Sequence, residues 1–369
     1  MTSTIELVRK RALAALAPPP RLRLSEWIER NLRLPEGVSA LPGTVRLWPF
    51  QRAIADAIGD PEIERVTLVK PVRVGFTTLL TGALGNFVAN EPSAILVLLP
   101  TEADARRYVV QDVEPIFEVT PALSGLLSHE VFGVRNTLTG RRFSGGSLQV
   151  IAARAPRNLR SHNARVLFVD EADAMLPGPE GSAIALAERR TLSFANRKIV
   201  LGSTPLDAET SNVLRAYADS DQRIFEVPCP ECGGFTEILW EHIKFEPDRP
   251  ETAAFECPHC ASRISERFKV EMVERGAWRA TRPDIRGHAG FKLNALVSLL
   301  ANASWAKLAA EFIKAKEDPD ELRVFVNTIL AEPWKEELVY ASDEFGIASR
   351  VEPFSLRADP EAGTTGIPA

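Results

Sequence analysis

Val66-Thr67-Leu68-Val69-Lys70-Pro71-Val72-Arg73-Val74-Gly75-Phe76-Thr77-Thr78 is the stretch on which the fold turns. Four apolar and β-branched residues predict a buried strand, Pro71 and Gly75 mark a turn, and Leu79 to Val88 continues as a helix. Strand, tight turn and helix N-terminus form the arrangement in which backbone N–H groups and the helix dipole cradle phosphates. The usual spelling of such a loop is GxxxxGK[ST]. Gly75 and Thr77 fit it, but Lys70 occupies the first glycine position and Phe76 the lysine position. A plain strand-to-helix turn is the competing reading of this stretch alone.

The chemistry is recovered if Lys70 folds back over the β/γ-phosphates of ATP, with Arg73 as a second cation. The Thr77 hydroxyl, next to that of Thr78, would then bind Mg²⁺. Pro71 removes a backbone donor, so the side-chain cations carry more of the binding.

A second element lies about a hundred residues on. Val166-Leu167-Phe168-Val169 predicts a central strand, and Asp170-Glu171-Ala172-Asp173 follows at its C-terminal end, where open α/β sheets bind ligands. Asp170 would hold Mg²⁺ and Glu171 would orient or deprotonate the attacking water. A solvated loop or helix cap is the bland alternative. A third strand, Ile199-Val200-Leu201, ends in Gly202-Ser203-Thr204-Pro205, which can place Ser203 or Thr204 beside the γ-phosphate and report hydrolysis to a mobile segment. Upstream, Trp48-Pro49-Phe50-Gln51 offers Phe50 to stack on adenine and Gln51 to hydrogen-bond its edge, against ordinary core packing.

These runs, with Ala94 to Leu99 and Leu148 to Ala152, alternate with helical stretches and predict an α/β domain with a helix-covered parallel sheet. At 369 residues the chain has room for two domains and a small third module. No apolar run nears the roughly 18 residues that span a bilayer. The short Ala/Leu stretch after Arg9-Lys10-Arg11 ends at Pro18-Pro19-Pro20, too short for a signal peptide. The sequence therefore predicts an intracellular protein without membrane contact.

All four cysteines fall in two pairs, Cys229-Pro230-Glu231-Cys232 and Cys257-Pro258-His259-Cys260. Two CxxC turns supply four thiolates, which close a tetrahedral, structural Zn²⁺ site and leave His259 on the surface. Redox dithiols are the alternative. Zinc binding in small finger peptides is worth about 10 to 16 kcal/mol, so the module should unfold without metal.

The formal net charge of −5 argues against a globally basic nucleic-acid binder. Yet from Val131 to Val169 there is no Asp or Glu, while Arg135, Arg141, Arg142, Arg154, Arg157, Arg160 and Arg165 sum to +7, leaving −12 for the remainder. A solvated face is the default reading of such a run. Gly145-Gly146 and the nearness of Ala155 to Ser161 to the Asp170 strand favour phosphate-backbone contacts by Arg141, Arg142, Arg154, Arg157 and Arg160, or an arginine finger among them.

Ser304 to Glu317, N-capped by Ser304, and Pro319 to Leu330 read as helices that bury Trp305, Leu308, Phe312, Leu322, Phe325 and Ile329. The expected division is an N-terminal helical arm over 1–45, an ATPase core over 46–227, a zinc ribbon over 228–265, a helical subdomain over 266–340 and a linker over 341–369.

In this order the motifs resemble the ATPase part of the GpA (A-protein) family of tailed-bacteriophage terminase large subunits. Beside the elements above, the residues carrying the resemblance include Pro35-Glu36-Gly37, Pro100-Thr101-Glu102, Asn158-Leu159-Arg160-Ser161, Phe325-Val326-Asn327-Thr328 and Glu332-Pro333-Trp334. A lysine in the loop's first position is a recurrent terminase variation. The resemblance implies a P-loop NTPase fold with an inserted zinc ribbon, and a DNA-stimulated ATPase that translocates double-stranded DNA. Implied partners are a small terminase subunit, the portal of a procapsid and further copies of the chain, in the cytoplasm of a bacterial host. Lys70, Arg73, Gly75 and Thr77 would hold phosphate and Mg²⁺, Asp170 and Glu171 metal and water, and Ser203-Thr204 would couple. The family's nuclease follows near the point where the sequence ends, and no acid-bearing strand pattern follows Trp334. The expectation is therefore a chain that lacks the nuclease and does not cut DNA. A helicase-like remodeller and a non-catalytic DNA-binding or assembly protein with a degenerate loop are the alternatives.

Overall fold

A computed structural model describes residues 5–6, 9, 22–37, 42–72, 74–127, 130–131 and 134–335. Most of the 1–45 arm outside the helix α1 (Leu24–Asn31), Arg73 and the 341–369 linker lie outside the described residues.

The strand and helix patterns fold into one mixed sheet. In chain order its first strands are β1 (Arg65–Val69), β2 (Ala94–Leu99), β3 (Gly140–Phe143), β4 (Gly146–Ala152), β5 (Val166–Asp170), β6 (Lys198–Ser203), β7 (Arg223–Pro228) and β8 (Phe235–Thr236). After a three-stranded antiparallel insertion, β9 (Ile243–Glu246), β10 (Arg249–Glu256) and β11 (Arg263–Ser265), the chain returns as β12 (Ala277–Ala280) and β13 (His288–Lys292). The spatial order is β8-β7-β13-β1-β6-β5-β2-β4-β3, with β12 on β7. Every neighbour pair from β7 to β4 is parallel, and β3, β8 and β12 pair antiparallel.

Residues of the central strands divide by parity between two cores. Ile95, Val97, Val166 and Phe168 face one cluster, with helices α1, α2 (Pro49–Gly59) and α3 (Phe76–Asn90). Leu96, Leu98, Leu167 and Val169 face the other, with Ala183–Arg189 and α4 (Asn212–Ala218). All five residues of β5 are buried, as a strand covered by helices on both sides requires.

Two parts of the expected division change. Residues 266–340 are not a helical subdomain alone, because β13 sits between β1 and β7 in the middle of the sheet. Its sequence, His-Ala-Gly-Phe-Lys, is short and carries a glycine that leaves room for Ser220 and Tyr217, so it gives a weak strand signal. Nor is the ribbon a separate module. Trp240 meets Phe312 tilted at 4.9 Å and Phe325 edge-on at 5.1 Å, and Phe255 meets Trp305 at 6.2 Å, joining ribbon to α5 (Trp305–Ala315) and α6 (Pro319–Phe325) in a shared aromatic core. Ser304 caps α5 as expected, its Oγ accepting from Lys307 N at 3.3 Å. The helix after Pro319 becomes a π-helical turn over Val326–Leu330 and ends at Ala331 in the left-handed region.

Candidate active site

The site is built at the C-terminal ends of the adjacent parallel strands β1, β6 and β5. Lys70, directly after β1, is 6% exposed and donates from Nζ to Glu171 Oε1 at 2.6 Å; Asp170 Oδ1 lies 3.4 Å from the same nitrogen. Burial opposes the Lys70 charge, but the Asp170 and Glu171 carboxylates outweigh it and hold its pKa above the ordinary value. Thr77 Oγ1, in the first turn of α3, donates to Asp170 Oδ2 at 3.2 Å, while Thr78 is half-buried beside it. A lysine, a hydroxyl and two carboxylates separated by about a hundred residues in sequence thus converge.

Gly75 ends the loop with φ 70°, the left-handed conformation in which glycine carries no Cβ penalty. A Cβ there would lie 2.8 Å from Gln51 Nε2. Gln51 donates from Nε2 to the Val74 carbonyl at 2.8 Å and accepts at Oε1 from Trp48 N at 2.8 Å. Its Oε1 thus caps the start of α2 and its Nε2 braces the loop, which sets Gln51 directly beside the site. The expected base stack on Phe50 is corrected: the ring is fully buried, in contact with Trp48 at 5.4 Å and Phe225 at 5.8 Å, and has no open face for a base.

Phe76 explains the deviant spelling. The side chain is 4% exposed and lies over Gly202 of β6, where a Cβ would meet its ring at 2.2 Å. The position usually held by lysine has become a core anchor, and Lys70 brings the ammonium in from the other end of the loop, 5.4 Å from that same ring.

Ser203 Oγ accepts from Asp173 N at 3.1 Å and donates to the Thr204 carbonyl at 2.9 Å. Asp173, which the sequence reading gave no role, is 8% exposed and accepts from Leu206 N at 3.0 Å and Val213 N at 2.9 Å. Its place in Asp170-Glu171-Ala172-Asp173 was the available signal. Glu171 itself takes φ 55°, a left-handed conformation costing about 1 to 3 kcal/mol in a non-glycine residue, of the kind that clusters at functional sites. Asp112 is a further carboxylate the motifs missed. It lies in the π-helical turn Val109–Val113, and burial, then the Asp170 charge, push its pKa up.

The arginine-rich stretch is less positive in space than in sequence. Arg141 is 4% exposed and ion-paired with Glu114, so the expected DNA contact at this residue is corrected to a structural one. Arg160 pairs with Glu180 at 2.8 Å, and Arg165 with Glu91 at 3.3 Å. Arg142, Arg154 and Arg157 are exposed with no ion pair among the described residues. The side chain of Arg135 lies outside the described residues.

Some distance along the chain, the four cysteines gather with sulfurs all within 4.8 Å of one another. Cys229–Cys260 and Cys232–Cys257 are 3.9 Å apart. Zn–S bonds of about 2.3 Å in a tetrahedron require sulfurs roughly 3.8 Å apart, whereas a disulfide needs about 2.05 Å. The donor set fits zinc. His259 is exposed, with Nε2 3.1 Å from the Phe235 carbonyl, as expected of a non-ligand.

A parallel sheet flanked by helices, with lysine, threonine and paired carboxylates at its C-terminal edge, places the chain among α/β proteins of the terminase ATPase-domain fold. The model of the phage terminase large subunit gpA ATPase domain matches residues 39–278, well over half the chain, and the chain belongs to the gpA terminase large-subunit family. Two curated relatives are the terminase large subunits of Escherichia phage lambda and Enterobacteria phage P21. Each is 28% identical, over 94% and 88% of this chain respectively. The chain spans 58% and 54% of their lengths. The crystal structure of the HK97 bacteriophage large terminase shares the fold, with TM-score 0.51 and 16% identity over 84% of this chain and 55% of that one.

The same comparison corrects the expectation about the nuclease. The model of the gpA endonuclease domain matches residues 288–366. That match starts at the first residue of β13, inside the sheet and well upstream of Trp334. The chain therefore carries endonuclease-domain sequence, part of it beyond residue 335 and outside the described residues. No helix among the described residues is long and apolar enough to cross a membrane.

Proposed function

We propose that the chain is an ATP-hydrolysing DNA-packaging motor that translocates double-stranded DNA into a procapsid. The observation that carries the reading is the convergence of Lys70, Thr77, Asp170 and Glu171 at the end of β1 and β5. In this reading the backbone around Gly75 and the Lys70 ammonium hold the β/γ-phosphates, with Arg73 as a second cation. Thr77 and Asp170 are the oxygen ligands suited to Mg²⁺, which would neutralise phosphate charge. Lys70 meanwhile exchanges the Glu171 carboxylate for phosphate oxygens, which frees Glu171 to accept a proton from the attacking water. Ser203 and Thr204 lie one strand away and sense the change.

Exposed Arg142, Arg154 and Arg157 supply cations for the DNA backbone or a finger toward a neighbouring copy's nucleotide. Arg160 becomes available if its Glu180 pair opens. The four cysteines hold a structural Zn²⁺. A small terminase subunit, the portal of a procapsid and further copies of the chain are the partners this role requires, in the cytoplasm of a bacterial host.

The test is phosphate release with and without blunt duplex DNA, comparing wild type with Lys70→Ala and Glu171→Ala. Turnover should rise with duplex and fall about 10²-fold or more in both variants; unchanged hydrolysis in both would sink the site assignment. Charge reversal at Arg154 and Arg157 should remove most of the duplex stimulation and flatten its salt dependence. Separation of a tailed duplex would favour a helicase-like remodeller, and tight ATP binding without turnover on DNA would favour the non-catalytic reading.

A further inference from the structure

The loop after Ser203-Thr204 is held from two sides. On the nucleotide side Asp173, two residues beyond Glu171, accepts from Leu206 N at 3.0 Å with one carboxylate oxygen and from Val213 N, in the first turn of α4, at 2.9 Å with the other. Its own N–H donates to Ser203 Oγ at 3.1 Å, and Asn212 Nδ2 donates to the Ala172 carbonyl at 2.9 Å. On the opposite side the Leu206 carbonyl accepts from Trp334 N at 3.0 Å, and Asp207 forms a bridge with Trp334. The segment ending in Trp334 is also tied to the phosphate loop, where Val72 N donates to the Thr328 carbonyl at 2.8 Å. Between these two ties Ala331 is fully buried in a left-handed conformation, and Glu332 N donates back to the Val326 carbonyl at 3.2 Å.

Residues 326–334 thus fasten the phosphate loop to the 204–211 loop, and Asp173 fastens that loop to the hydrolysis carboxylates. None of these hydrogen bonds is made by the side chains of Lys70, Thr77, Asp170 or Glu171, so their role is positional. Trp334 lies within the segment that matches the endonuclease model.

We propose that Asp173 is a positioning residue that transmits the nucleotide state of the Asp170–Glu171 turn, through the 204–211 loop, to Trp334. This rests on the ATPase reading above. When the Glu171 turn shifts as Lys70 leaves it, the Asp173 carboxylate carries Leu206 N and Val213 N with it, and the Leu206 carbonyl carries Trp334. A buried carboxylate that accepts two backbone N–H groups from two separate elements is a stiff link, because loss of either bond leaves a buried polar group unpaired.

The experiment uses the whole chain with zinc bound. The Trp334 signal is the emission of wild type minus that of Trp334→Phe, which keeps the backbone N–H. It is compared between the ADP-bound and non-hydrolysable-ATP-analogue-bound states, with nucleotide affinity and turnover measured alongside. In wild type the signal differs between the two states. In Asp173→Ala nucleotide affinity stays within about threefold while the signal difference disappears and kcat falls at least tenfold, a split that general loosening would not give. Ser203→Ala, which removes only the hydroxyl accepting from Asp173 N, reduces the same difference without abolishing it and serves if Asp173→Ala fails to fold. A signal difference that persists unchanged in whichever of these variants folds, or its absence in a wild type that binds and turns over ATP, overturns the proposal alone. A wild type that binds no nucleotide overturns the ATPase reading as well.

Discussion

The nucleotide end of the sheet and the zinc ribbon reach their geometry by opposite routes. The ribbon brings its four sulfurs together from two tight turns in a span of 32 residues, Cys229 to Cys260, and little of the rest of the fold is needed to explain the cluster. At the C-terminal edge of the sheet, Lys70 follows β1, Thr77 lies in the first turn of α3, Asp170 ends β5 and Glu171 follows it, so the group is set by the parallel register of β1, β6 and β5. A locally encoded site depends on the spacing within its own turns, and a sheet-encoded site depends on the packing of every element between its parts. The aromatic core of Trp240, Phe255, Trp305, Phe312 and Phe325 ties the two together, and the helices that carry it lead into Thr328, which holds Val72 of the phosphate loop.

The largest expected effect tests that tie. Chelating the metal, or Cys257→Ser, removes an interaction worth about 10 kcal/mol or more, against a typical domain stability of about 5 to 15 kcal/mol. Metal analysis of wild type should return about one zinc per chain. Loss of zinc should lower the melting temperature and also abolish ATP turnover; turnover that survives metal removal would separate the two regions. Next in size, Glu171→Gln should lower turnover by about 10² to 10⁴ while zinc content stays unchanged, which marks the nucleotide end as chemically decisive but structurally dispensable at this residue.

A smaller effect sharpens the packing claim. Gly202→Ala places a methyl group against Phe76 and should cost about 1 to 3 kcal/mol in denaturant unfolding. Phe76→Lys should not rescue Lys70→Ala in a turnover assay, because position 76 points into the sheet rather than into the loop.

The smallest is a pH effect. Burial lowers Lys198, at the start of β6, and Lys269, beside the ribbon, to about 8 from an unfolded value of 10.5. Each folded pKa lies below the unfolded one, so the charged form opposes folding. Stability should therefore rise as pH increases from about 8 to about 10.5, by an order of 1 kcal/mol per unit for each lysine. Urea midpoints across that range, compared with Lys198→Met, measure it; an equal slope in the variant would remove Lys198 as the cause.

Much of this was legible in the residues. The apolar runs gave β1, β2, β4, β5 and β6, because strands buried on both faces are nearly continuous in hydrophobicity. The CxxC pairs announced their cluster through spacing alone. β13 was missed because a five-residue strand containing glycine and two polar ends has no periodic signature, and its place between β1 and β7 depends on partners far away in sequence. The sequence offers Phe50 as a base contact because an aromatic before a phosphate loop looks alike whether it faces a ligand or the core, and its burial decides for the core. Arg141 looked free because its partner, Glu114, lies outside the acid-free stretch.

By itself the sequence determined the parallel α/β core, the loop and carboxylate pair at its edge, and the four-thiolate cluster, since each is written in local hydrophobicity or spacing. Only the tertiary structure decided that Lys70 faces Glu171, that Phe76 is an anchor on Gly202, that Asp173 grips the loop after Thr204, and that Arg141, Arg160 and Arg165 are already paired. Those outcomes are set by which strands lie side by side, and side-by-side placement is a property of the whole packed sheet, with no counterpart in any one stretch of chain.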